Sequence, residues 1–73
     1  MNKDIDNELF KMRRKARYTR EELANVSGVD KNTIQALEVG KTDMSNAKLS
    51  TMIKLAKALS CKVRDFFPNE KSI

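Results

Sequence analysis

Apolar residues stand at Ile5, Leu9, Met12 and Ala16, a spacing of four, three and four that marks one face of a helix. The pattern predicts a first helix from Asp4 to about Arg17. Asp4, Asp6 and Glu8 load its first turns and Arg13, Arg14, Lys15 and Arg17 its last, the order a helix dipole favours. A Thr-x-x-Glu capping box, Thr19 to Glu22, opens a short second helix. Gly28 ends it, because glycine takes a left-handed cap without penalty. Asp30 is the N-cap of a third helix, from Lys31 to about Val39. Ile34 and Leu37 form its inner stripe, Val29 enters just before, and Gly40 closes it. Lys41 to Lys48 is polar and makes the longest loop. Leu49, Met52, Leu55, Ala56 and Leu59 then repeat at helical spacing. A last short turn carries Val63, Phe66 and Phe67 and stops at Pro68. The expected fold is all-α, five short helices in one domain over residues 1–68, with residues 69–73 as a frayed C-terminal tail.

Composition narrows the picture. The chain has 73 residues with two Gly and one Pro, too few turn formers for an all-β fold. A chain of this size buries roughly 60% of its unfolded surface, enough for one modest core and no deep cleft. The longest apolar run is two residues, so no membrane span is expected. Met1 to Asp4 lack the apolar start of a secretory signal. With one cysteine, Cys61, there is no internal disulfide, and with no His a metal site is not expected. The missing His also removes the commonest general base, and no catalytic residue is assigned. Fifteen basic against ten acidic residues give a net charge of +5 and a pI near 9.6. That balance points to an anionic partner, nucleic acid first. The plainer alternative is a basic surface that serves only solvation.

The informative unit runs from Thr19 to Gly40: helix, Gly-containing turn, capped helix, which is a helix-turn-helix. Ala24 is small where the two helices cross. In these residues the chain resembles the helix-turn-helix domain of Cro and phage repressors, also called the xenobiotic-response-element type. The matching residues are Met12-Arg13, Thr19 to Ala24, Gly28-Val29, Thr33-Ile34, Leu37-Glu38, Gly40-Lys41, and Leu49 to Leu59. The resemblance covers about residues 5 to 67. It implies a compact five-helix, lambda-repressor-like domain whose helices 2 and 3 form the DNA-binding motif.

Advancing 100° per residue from Ile34 puts Asn32, Gln35, Ala36 and Val39 opposite the buried side, with Lys31 and Thr33 on the flanks. The N-terminal half of such a helix enters the major groove. That selects Lys31, Asn32, Gln35 and Ala36 as base readers. Asn and Gln make paired hydrogen bonds to adenine, Lys reaches guanine acceptors, and Ala touches a thymine methyl. The competing reading is an ordinary solvated helix face.

Phosphate contacts are expected from Thr19 and Arg20 at the start of the second helix, where free N–H groups and a positive dipole end meet an anion. Thr33, Lys41 and Thr42 are further candidates. The resembling family usually has Gln where this chain has Arg20. Gly is frequent there in place of Arg17, Asn in place of Val39, and the loop after Gly40 is commonly shorter. The resemblance pairs Arg13 with Glu38 as a structural ion pair, scaffold rather than catalysis. Phe66 and Phe67 are adjacent, so a helix cannot bury both on one face. One belongs to the core; the other is a dimer-interface candidate, since members of the family usually pair through the C-terminal region. Cys61 reads as a small core residue and Tyr18 as packing between the first two helices.

The resulting expectation is a sequence-specific, double-stranded-DNA-binding transcriptional regulator, a repressor acting as a homodimer on a palindromic operator. It would be cytoplasmic and associated with the nucleoid, with no cofactor and no small-molecule ligand. The alternatives are an antitoxin-type protein-interaction module on the same fold, or the controller protein of a restriction–modification system. An enzyme is not expected, because no nucleophile stands beside a base and no phosphate loop follows a strand.

Overall fold

The computed structural model describes residues 7–67. Four α-helices follow in order: α1 (Glu8–Lys15), α2 (Arg20–Ser27), α3 (Lys31–Glu38) and α4 (Leu49–Ala58). Two 3-10 turns, Met44–Asn46 and Val63–Phe66, complete the described elements. The class is all-α, with a 3-10 turn where the pattern suggested a fifth helix.

The first helix is shorter than its periodicity suggested. Asn7 has extended backbone and its side chain accepts from the Phe10 N–H, so the helix opens at Glu8. The Asn7 amide also donates to the Leu37 carbonyl at 2.7 Å. That carbonyl lies in the last turn of α3, where no intrahelical donor remains. One side chain thus caps the start of α1 and the end of α3. The proposed start at Asp4 and Ile5, the stop at Pro68 and the tail of residues 69–73 lie outside the described residues.

The other end of α1 also differs. The helix stops at Lys15, and Arg17 takes a left-handed backbone with φ +64°. A side chain in that conformation costs roughly 1–2 kcal/mol. Gly28 and Gly40, at φ +81° and +83°, adopt the same region without that cost. Among the described residues Ser60, just past α4, is the other non-glycine residue there.

Leu9, Leu23, Val29, Ile34, Leu37, Met52, Leu55, Ala56 and Phe66 form the core. Each fully buried Leu or Ile contributes roughly 1.5–3 kcal/mol from apolar burial. The helix α2 packs against both α3 and α4, while α1 packs on α3 and the last 3-10 turn. Two expectations change here. Leu49, counted in the apolar stripe, is 66% exposed at the first residue of α4, a turn short of the core. Phe66 is 4% exposed and belongs to the core, so it offers no surface to a second copy. Phe67 is half-buried against the core edge. Tyr18 and Cys61 are likewise partly buried against it. Among the described residues no helix is long and apolar enough to cross a membrane.

Candidate nucleic-acid interface

The second helix is built by local signals. Thr19 accepts from the Glu22 N–H at 3.0 Å, and the Glu22 carboxylate accepts from the Thr19 N–H at 2.8 Å. This is the reciprocal capping box. Gly28 closes the helix, its N–H donating to the Ala24 carbonyl. The Ser27 hydroxyl accepts from the Val29 N–H, which turns Val29 into the core. Asp30 then caps α3 by accepting from the Asn32 N–H at 2.9 Å. Three residues therefore separate two capped helices.

Burial of Ile34 and Leu37 sets the rotation of α3. Lys31, Asn32, Thr33 and Gln35 are exposed. Ala36 is half-buried, so only part of its methyl surface is offered. Val39 is the C-cap of α3 and exposed. Asn32 and Gln35 are exposed on the face opposite the buried Ile34 and Leu37.

A buried charge cluster fixes this helix to the others. Glu38 is 0% exposed. Its Oε2 accepts from Arg13 Nε at 2.6 Å, and Oε1 from Arg13 Nη2 at 3.1 Å. Oε1 also accepts from Arg20 Nε at 2.9 Å. Arg13 Nη1 donates further to the Tyr18 carbonyl. The Arg13–Glu38 pair thus joins α1 to α3, and Arg20 adds α2. Sequence reasoning did not find that third partner; its signal was a cation in the place usually held by Gln. Arg13 and Arg14 also stand over the Phe10 ring, each 5.5 Å from its centroid.

The phosphate candidates fall into two groups. Thr19 and Arg20 lie at the N-terminus of α2, where the capping box already occupies the Glu22 amide. Arg20 Nη1 and Nη2 donate to no protein acceptor among the described residues, so the outer edge of the fork is open to an anion. Lys41 and Thr42 follow α3. Their backbone N–H groups both donate to the Ala36 carbonyl, and both residues are exposed. Thr33 flanks α3 with an exposed hydroxyl.

Comparison with known protein families decides the identity of this arrangement. The model of the helix-turn-helix family matches residues 9–66. The chain belongs to the Cro and phage-repressor type of helix-turn-helix protein. No curated protein and no solved structure matches it. The helix-turn-helix chain is accordingly a DNA-binding domain of a regulator of transcription, a family that is not typically enzymatic. Among the described residues, the matched span begins at the first core residue, Leu9, and ends at the last, Phe66. Among the described residues no group of three His, Cys, Asp or Glu could hold a metal ion.

Proposed function

We propose that this helix-turn-helix protein is a transcriptional repressor that binds a palindromic operator as a homodimer, with one α3 in each of two major grooves. The observation that carries the reading is the exposed Asn32 and Gln35 pair on a helix locked to α1 and α2 through Glu38. A recognition helix must hold its side chains at a fixed angle to the backbone contacts, and a buried ion cluster supplies that rigidity.

In this reading Lys31, Asn32, Gln35 and Ala36 contact bases, each good paired contact supplying roughly 1–3 kcal/mol of discrimination. Thr19, Arg20, Thr33, Lys41 and Thr42 contact phosphates and set the register. The net charge of +5 supports the electrostatic share of binding. Phe67, half-buried at the C-terminal end of the described chain, remains the dimer candidate. The protein works at the nucleoid and takes no cofactor.

Selection of bound duplexes from a random pool, followed by sedimentation of the complex, tests this. The expected result is an enriched palindrome with half-sites about 34 Å apart, carrying two copies of the chain. A pool without enrichment would remove the operator and favour a protein-interaction module. An enriched but asymmetric site bearing one copy would remove the homodimer.

A further inference from the structure

Beside the start of α2 lies an open cleft of about 620 Å³, lined by Arg13, Arg14, Arg17, Tyr18 and Thr19. Three of its five lining residues are arginines, and none is acidic. The cleft is continuous with the candidate interface. Arg13 forms its wall and shares Glu38 with Arg20, while Thr19 is the cap of α2.

The charge of Arg13 is offset by Glu38. Arg14 and Arg17 are exposed, and no ion pair engages either among the described residues. The rim of the cleft is therefore net positive. A second observation concerns the backbone. Arg17 holds a left-handed conformation that glycine takes freely, and the chain does use glycine at the ends of α2 and α3. Among the described residues, Arg17 alone puts a cation on such a helix end. Strain held at one position, with a charge aimed at solvent beside a binding face, is a pattern of functional sites.

We propose that Arg17, with Arg14 beside it, seats a DNA backbone phosphate outside those reached by Arg20 and by the residues after α3. The proposal rests on the DNA-binding reading above and extends it by one contact. The chemistry is a guanidinium fork meeting phosphate oxygens, a charge-assisted contact that carries no base information.

Arg17→Gly is the decisive variant, because it removes the cation and the backbone strain together. It should fold with a thermal midpoint no lower than the parent's. Its affinity for the selected duplex and for unrelated duplexes should fall alike, by roughly three- to tenfold at low salt. The slope of log affinity against log salt should become shallower by about 0.9. Arg17→Lys should restore most of that slope. Phosphate-ethylation interference should lose one interfering position in each half-site. An unchanged slope for Arg17→Gly, with or without an affinity loss, would overturn the phosphate seat while leaving the function standing. Failure of the parent protein to bind any duplex would overturn both.

Discussion

Arg20 Nε lies 2.9 Å from Glu38 Oε1, so a partly exposed residue at the start of α2 is tied to a fully buried carboxylate on α3. The same carboxylate holds Arg13 from the other side. Two cations therefore satisfy one buried anion, and three helices meet at it. Replacing the carboxylate leaves two guanidinium groups without a counter-charge. Glu38→Gln should lower stability by about 3–5 kcal/mol in urea unfolding, the range for removing one member of a buried ion pair. A loss below about 1 kcal/mol would show that the cluster is not a fixed element of the scaffold.

Arg20→Gln separates scaffold from contact. Arg20 is partly exposed, and Glu38 keeps its closer partner, Arg13. Stability should fall by only about 1 kcal/mol, as for a typical hydrogen bond. DNA affinity should fall uniformly across sequences, with the salt slope reduced by about one. A change in base preference would contradict the assignment of Arg20 to the backbone.

Asn7 bridges the start of α1 and the end of α3. Asn7→Ala removes a cap, which costs about 0.5–2 kcal/mol, and also leaves the Leu37 carbonyl without its partner. A fall of roughly 4–8 °C in thermal midpoint per kcal/mol is expected for a domain of this size. Asn7→Asp keeps the capping acceptor and loses the donor, so it should fall between the two. Equal midpoints for Asn7→Ala and the parent would remove the bridge.

Cys61 is expected to be a slower nucleophile than an exposed thiol. Partial burial raises its pKa above that of an ordinary thiol, and the nearby Asp65 carboxylate raises it further. A raised folded-state value means that the thiol's contribution to stability is full below the unfolded value and lost as pH rises through the folded one. Alkylation at pH 8 should be slow in the folded protein and fast in urea. Rates equal to those of a free thiol in both conditions would contradict the placement.

Much of the helix-turn-helix was legible because its signals are local. Thr19 and Glu22 cap each other within three residues, Gly28 needs only its own backbone, and Asp30 caps the turn that follows it. The rotation of α3 followed from Ile34 and Leu37 in the same way. What was not legible depends on distant partners. Asn7 moves the start of α1 because its amide meets a carbonyl 30 residues away. The arginine at position 20 looked like a simple exchange for Gln until Glu38 appeared beside it. Leu49 matched the helical period but sits at a helix end beyond the reach of the core. Phe66 and Phe67 could be divided between core and surface, but only the direction of the last 3-10 turn assigns Phe66 to the core.

The central claim is that α3 reads bases, and it is tested most directly by comparing the sequence preferences of the parent protein with those of Asn32→Ala and Gln35→Ala. Each variant should lose preference at one or two discrete positions of the half-site, with a cost of roughly 1–3 kcal/mol there. Preference elsewhere and the salt slope should stay as they were. Unchanged preferences with a uniform loss of affinity would contradict the account, because the two side chains would then act on the backbone and not on the bases.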